Sequence, residues 1–182
     1  MVIVSNLSQP SLPNSAIQRG QTTEQQFLKF YLHPDTKAML PIKQITEVLK
    51  ISFGQIVPLP HLPAWVMGVY NWRGNILWMV DLGHLIGLDS WYQHQVNRSY
   101  HTAIVLSPHK EAQSNTTVDL HLGLVVSRVE DIEICNITEI QAAPNFSITD
   151  RLADFSQGYW LEPEGEMVLV FDGQAIAAAM PD

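Results

Sequence analysis

Apolar and polar residues alternate along most of the chain after residue 25, and this pattern predicts β-strands. Apolar positions recur at every second residue more often than at helical spacing, in short runs that are separated by turn-forming residues. The runs cover residues 27–32, 38–42, 45–51, 76–82, 103–106, 118–126 and 167–171, and the turns lie at 33–35, 58–63, 73–75 and 162–165. Many short strands of even spacing are typical of small barrels, so we predict a mainly β fold.

Three other kinds of segment interrupt this pattern. Residues 1–25 are rich in Ser, Gln, Asn and Pro, which predicts a flexible tail ahead of a domain over 26–178. Residues 107–117 are polar and are predicted to form a hairpin loop. Short helical turns are predicted at 81–87, where Gly87 is a suitable left-handed stop, and at 149–155, where Thr149 can cap the first turn.

An internal repeat divides the β-rich part into two similar units. Residues 74–81 and 165–172 align without gaps, and both consist of a turn glycine, a polar residue, five apolar residues and an aspartate. A further glycine, Gly68 or Gly158, precedes each copy at nearly the same distance. A weaker match aligns 42–48 with 126–132. Two units with such continuous apolar strands are expected to share one core.

Composition narrows the class of protein. The chain has 182 residues, of which 46% are hydrophobic, and its only cysteine, Cys135, excludes an intramolecular disulfide and is expected to be a small buried apolar residue. No secretory signal and no membrane-spanning run is found, so a cytoplasmic location without membrane insertion is expected. The net charge is −8, and residues 129–182 carry eleven acids and one base. This acidity disfavours nucleic-acid binding; it is either a solvated face or a docking surface for a basic partner.

No catalytic motif is present, since the sequence lacks a nucleophile elbow, a phosphate-binding glycine loop and paired metal-ligand spacings. The seven histidines are scattered, and we expect no metal and no cofactor. Asp81 and Asp172, which end the repeated strands, are interpreted as helix or turn caps.

Aromatic residues are more abundant than two small barrels need. Most of them, taken singly, suit a core, but Trp72 lies at a predicted hairpin tip beside Arg73, where side chains usually face water. Exposed aromatics beside arginine are typical of interaction hot spots. Truncation of Trp72 is therefore expected to weaken partner binding with little loss of stability.

Several segments together resemble a known family. The most specific is Asn71-Trp72-Arg73-Gly74, which follows a Pro60-x-x-Pro63 segment and precedes a strand that ends in Asp81-Leu82. Residues 27–30, 45–49 and 123–129 agree in order. Over about residues 26–178 the chain resembles the CheW-like coupling domains of bacterial chemotaxis.

The resemblance implies two intertwined five-stranded SH3-like barrels with short helices and no catalysis. It implies an adaptor that binds the cytoplasmic tip of methyl-accepting receptors and the regulatory domain of a chemotaxis histidine kinase, in chemotaxis or in type IV pilus and surface motility. Family receptor contacts map to Ile45, Glu47 and Arg73, to which Trp72 is added from its position. The structural motif maps to the list Gly68, Asn71, Gly74, Asp81, Gly158 and Asp172.

The chain departs from the family pattern at Trp72, Trp78 and Ser127, where Leu, Pro and Asp are common, and residues 174–180 leave little room for a final helix. Two other classes of function remain alternatives: a barrel that binds a small ligand or nucleic acid, and a cryptic hydrolase using His and Asp.

Overall fold

The computed structural model describes residues 23–90, 99–107, 120–142 and 149–181. These residues form ten strands and two short helices. The strands are β1 (Glu24–Leu32), β2 (Thr36–Pro41), β3 (Ile45–Ser52), β4 (Val66–Trp72), β5 (Asn75–Asp81), β6 (Tyr100–Leu106), β7 (His121–Val126), β8 (Arg128–Asn136), β9 (Ser156–Leu161) and β10 (Met167–Phe171); the helices are α1 (Leu82–Leu85) and α2 (Gly173–Ala178). Single 3-10 turns lie at Ile42–Gln44, Ile137–Glu139 and Leu152–Asp154.

The strands form two sheets of five. Sheet I has the order β8-β1-β2-β10-β9, and sheet II has the order β3-β6-β7-β5-β4. In both sheets the third and fourth strands are parallel, and the other pairs are antiparallel. The predicted mainly β fold with two five-stranded units is therefore confirmed, and the repeated segments are the equivalent strands β5 and β10.

The chain passes between the sheets at two places. It leaves sheet I at the turn Ile42–Gln44 and enters β3, and it returns from sheet II at Ser127 and enters β8. These are the segments that the weaker repeat aligns. Sheet I thus combines strands from both ends of the chain, whereas the strands of sheet II are consecutive. This path is the intertwining that the resemblance implied.

Gly68 and Gly158 occupy equivalent positions, where the segment that follows one edge strand bridges to the other edge strand of the same sheet. Isolated bridges join Val57 to Val69 and Gln141 to Tyr159. Both glycines have left-handed backbone angles, with φ of 134° and 136°. A Cβ atom would lie 2.2 Å from the Val57 carbonyl oxygen at Gly68 and 2.1 Å from the Gln141 oxygen at Gly158. Only glycine allows this close backbone approach.

The two sheets share a core, as the repeat predicts. Phe30 and Phe171 from sheet I are stacked with ring centroids 6.3 Å apart, and they belong to the same buried cluster as Ile104 and Leu124 from sheet II. Each sheet also has a smaller cluster on its other face, around Met79 in sheet II and around the list Phe27, Met39, Cys135 and Trp160 in sheet I. Cys135 is buried as predicted, and burial, followed by the nearby carboxylates of Glu133 and Glu139, raises the pKa of its thiol to about 11.

Aspartates cap the two helices. Asp81 accepts a hydrogen bond from the His84 backbone N–H, and Asp172 accepts one from that of Gln174. The capping interpretation of both residues is confirmed, and Gly87 has the left-handed φ of 93° expected after α1. The cap predicted at Thr149 is wrong: its hydroxyl donates to the Ile86 carbonyl instead, so it anchors one loop on another.

Two of the predictions concern the ends of the domain. The expectation of little room for a final helix is wrong, because α2 occupies Gly173–Ala178 and buries Ile176 in the shared core. Of the proposed tail, residues 1–22 lie outside the described residues, and β1 begins at Glu24, which pairs with Asn136. Most of the predicted polar loop, together with Trp91 and Tyr92, also lies outside the described residues.

Candidate functional site

The hairpin between β4 and β5 turns on two residues. Trp72 pairs with Asn75, and between them Arg73 and Gly74 both have positive φ, of 53° and 85°. Two consecutive left-handed residues make the tight hairpin turn that matches the twist of the strands. The Asn71 side chain accepts a hydrogen bond from the Gly74 N–H at 3.0 Å, which fixes the turn. The Asn-x-Arg-Gly motif therefore holds Arg73 at the tip.

The carboxylate of Glu47 on β3 receives both residues of the tip. The Trp72 Nε1–H donates to Glu47 Oε1 at 2.7 Å, and Arg73 Nη2 lies 3.0 Å from each carboxylate oxygen. The Arg73 guanidinium also lies 5.4 Å from the centroid of the Trp72 ring. We call Glu47, Trp72 and Arg73 the hairpin cluster. Its arginine is 69% exposed, so the cluster presents a charged group at the surface.

The predicted exposure of Trp72 is wrong. The residue is 9% exposed and belongs to the inner cluster of sheet II with Met67 and Leu77. The indole turns inward because Glu47 satisfies its N–H and because the half-buried His121 ring packs against it, with centroids 5.1 Å apart. The buried Trp72 ring therefore packs beneath the exposed Arg73 guanidinium.

Ile45 does not join the hairpin cluster. The register of β3 shifts between Ile45 and Glu47: Ile45 pairs with Leu106 and Glu47 pairs with the adjacent Val105, so one residue of β3 has no partner in β6. Ile45 is half-buried and packs against the shared core, two residues before Glu47. The structure thus brings together three of the four predicted contact residues. Val48 on the outer face of β3 is 42% exposed and was not selected from the sequence.

An apolar surface lies on the other side of the same hairpin. Ile76 is 63% exposed and Val57 is 58% exposed. Val57 bridges to Val69, which pairs with the half-buried Trp78 on β5. We call Val57, Val69, Ile76 and Trp78 the apolar hairpin face. Exposed apolar groups that adjoin one another are typical of protein interfaces.

The acidic last third of the chain contributes a charge network in sheet I that the sequence analysis missed. Lys29 Nζ lies 2.9 Å from Glu162 and 3.2 Å from Glu133, with Asp131 at 3.5 Å. Lys37 binds the other oxygen of Glu162 at 2.7 Å and also contacts Glu166. The signal in the sequence was a lysine within the apolar run of β1, because an unpaired lysine would not be buried there.

The network shifts the titration of its members. Burial opposes the charge on Lys29, but hydrogen bonds to Glu162 and Glu133 outweigh burial and hold the pKa of the lysine well above its usual range. Hydrogen bonds from Lys37 and Lys29 hold the pKa of Glu162 below its usual value. Both groups therefore stay charged near neutral pH, and the network is a structural ion cluster.

His101 makes the stability of the fold depend on pH. The side chain is 3% exposed, its ring lies 4.4 Å from that of Phe53, and burial lowers its pKa to about 4. Because the unfolded state binds a proton at about pH 6.5, folding stability should fall as pH decreases from about 6.5 to about 4, by about 3 kcal/mol in total. Urea denaturation at several pH values measures this loss.

The variant His101→Gln is the control for that prediction. Carboxylates that are ion-paired in the fold contribute their own acid loss only below about pH 5. Between about pH 6.5 and 5, wild type should therefore lose stability while the variant stays level. Parallel curves for the two proteins would contradict the assignment to His101.

Within the described ranges, no group of three His, Cys, Asp or Glu side chains is arranged to hold a metal ion. No helix among the same residues has the length and apolar character that are needed to cross a bilayer.

Comparison with known proteins gives consistent matches. Residues 26–180 match the family model described as the CheW-like domain. The chain is 33% identical over 115 residues to the chemotaxis protein CheW of Rhizobium meliloti (strain 1021), an alignment that covers 63% of this chain and 64% of that protein. It is 34% identical over 70 residues to protein FrzA of Myxococcus xanthus, covering 38% and 42%. The aligned part thus spans less than two thirds of either relative.

A solved structure shares the fold. The scaffolding protein TtCheW from Thermoanaerobacter tengcongensis superposes with a TM-score of 0.63 at 20% identity, covering 81% of this chain and 88% of that one.

Proposed function

The chain belongs to the family of CheW-like domains, and from this premise we propose that it is a non-enzymatic adaptor that couples chemoreceptors to a chemotaxis-type histidine kinase. Such an adaptor would act in the cytoplasm at membrane receptor arrays, in chemotaxis or in type IV pilus and surface motility. The relatives named as a chemotaxis protein and as a scaffolding protein support this role.

The observation that carries the proposal is the hairpin cluster. A tight turn holds Arg73 in an exposed position, and Glu47 fixes the guanidinium with two contacts of 3.0 Å. Because Glu47 already orders the Arg73 guanidinium, little side-chain entropy is lost when a partner binds. This favours specific contact over nonspecific attraction. We propose that Glu47, Arg73 and the neighbouring Ile45 contact the receptor tip, and that Trp72 contributes by holding Glu47.

An adaptor needs a second surface for the kinase. The apolar hairpin face is proposed to take the regulatory domain of the kinase, because Ile76 and Val57 are among the most exposed large apolar side chains of the described residues. Two adjoining surfaces on one rigid hairpin allow a small receptor movement to bias the kinase between its conformations.

Co-sedimentation of the full chain with membranes that contain receptor, in the presence and absence of the kinase, tests both surfaces. Arg73→Glu places a second negative charge beside Glu47 and should lower receptor-dependent sedimentation at least about tenfold, which corresponds to about 1.4 kcal/mol. Ile76→Glu should leave receptor binding intact and remove the kinase from the pellet.

Arg151→Glu is the matched control, because Arg151 is an exposed cation distant in sequence from the hairpin. It carries the same change in net charge and should behave as wild type. Circular dichroism establishes that all three variants fold. Equal loss of sedimentation for Arg151→Glu and Arg73→Glu would contradict the proposed receptor site, and loss of both partners with Ile76→Glu would contradict the separation of the two surfaces.

A further inference from the structure

The two sheets differ at their central parallel pair. In sheet II, β5 and β7 pair over five consecutive residues, from Leu77 opposite His121 to Asp81 opposite Val125. In sheet I, the equivalent strands β10 and β2 pair only at Leu169 opposite Ala38 and Val170 opposite Met39. The ladder of sheet I is therefore shorter at both ends, and at its start Val168 and Lys37, which would continue the register, are not paired.

A cleft of about 550 Å³ opens beside the start of this ladder. It lies within the size range of about 300–1,000 Å³ that is common for ligand pockets. Thr36 and Lys37 of β2 line one side, and Met167 and Leu169 of β10 line the other. Met167 is 41% exposed, so the wall of the cleft includes an accessible apolar side chain. The backbone at the start of two strands, together with an apolar wall, is suited to binding an extended peptide.

The charges around the cleft determine whether a bound segment should be cationic or anionic. Asp35 and Glu166 line the cleft and are exposed, whereas the cation of Lys37 is already bound to Glu162 and Glu166. Five carboxylates share two lysines in the adjoining network. The cleft therefore has an excess of negative charge, and a cationic segment is complementary to it.

We propose that this cleft binds an extended segment of a partner protein in which lysine or arginine alternates with large apolar residues. The cationic side chains face Asp35 and Glu166, and the apolar ones lie against Met167 and Leu169. The segment lies beside the start of the β2–β10 ladder, where Lys37 and Val168 are not paired with each other. This surface belongs to sheet I, and it is distinct from the hairpin cluster and the apolar hairpin face of sheet II.

Fluorescence anisotropy with the full chain tests the proposal. The probe is a labelled, terminally blocked peptide of three alternating Lys-Leu pairs, and the control peptides replace lysine by glutamate or arrange the same residues as Lys-Lys-Lys-Leu-Leu-Leu. The alternating cationic peptide should bind more tightly than either control peptide, and more weakly at higher salt.

Two variants and two matched controls locate the binding. Met167→Ala and Asp35→Asn should each weaken binding about threefold to tenfold. Leu161→Ala removes the cross-strand neighbour of Met167, which is similarly exposed at 43% but outside the lining, and Glu164→Gln removes an exposed acid of the nearby turn. Both controls should bind as wild type.

Equal weakening in the control variants, or equal binding of the block peptide, would reduce the effect to nonspecific charge attraction and overturn the proposal. Absence of binding by the alternating peptide would do the same. A dimer in sedimentation that Met167→Ala dissociates would assign the cleft to a second copy of the chain instead.

Discussion

Replacement of Gly158 by alanine is expected to destabilise the fold by about 4 kcal/mol or more, which is the range of the most severe single substitutions. The added Cβ would lie 2.1 Å from the Gln141 carbonyl oxygen, and the backbone at φ 136° already disfavours a side chain. Relief would require breaking the bridge between Gln141 and Tyr159, which joins the segment that follows β8 to β9. Urea denaturation measures the loss.

Gly165→Ala provides the matched control within the same hairpin. Gly165 also has a positive φ, of 86°, but a Cβ there meets no atom within 4 Å. The free energy of unfolding should fall by only about 1 kcal/mol, because only the left-handed backbone conformation disfavours alanine there. The pair Gly68→Ala and Gly74→Ala repeats the comparison in sheet II. Similar costs for Gly158→Ala and Gly165→Ala would show that the close backbone approach does not determine stability.

Trp72→Ala should destabilise the fold by about 3–5 kcal/mol, as other large-to-small substitutions of buried aromatic residues do. It removes the largest side chain of the inner cluster of sheet II and leaves Glu47 without its indole donor. Thermal denaturation of the variant and of wild type gives this difference. The result expected from a hairpin tip facing solvent, weaker binding with unchanged stability, is not expected from this geometry.

Trp72→Phe separates packing from positioning. Phenylalanine keeps much of the apolar volume but cannot donate to Glu47, so most of the stability should remain. If Trp72 holds Glu47 for the partner, this variant should still lose receptor binding in the sedimentation assay. Stability equal to wild type in Trp72→Ala would contradict the burial, and full binding by a folded Trp72→Phe would contradict the positioning role.

The sequence predicted the local elements of the fold well. The repeat of glycine, apolar run and aspartate located β5 and β10, because a turn, a two-sided strand and a helix cap each have their own residue preferences. Trp72 was misplaced because it was taken as a residue of the hairpin tip. The turn consists of Arg73 and Gly74 alone, so Trp72 is the last residue of β4 and its ring lies in the inner cluster of sheet II.

The sequence did not predict which distant residues contact each other. Lys29 and Glu162 are separated by 133 positions, and nothing local in either segment indicates the other. The acidic excess was visible, but its concentration around two lysines depends on the topology that places β8 and the β9–β10 hairpin on either side of β1 and β2. For the same reason the sequence could suggest Glu47 and Arg73 only through a family resemblance, and it could not show their contact.

The path of the chain between the sheets bears on the order of assembly during synthesis. The strands of sheet II are consecutive, so they can associate as soon as β7 has left the ribosome. The hairpin of β1 and β2 is made first but must wait for β8 and β10, more than a hundred residues later in the case of β10. During that interval only sheet II offers a partner for the core side chains Phe30 and Leu40, so we expect early docking on sheet II to protect the nascent chain from aggregation.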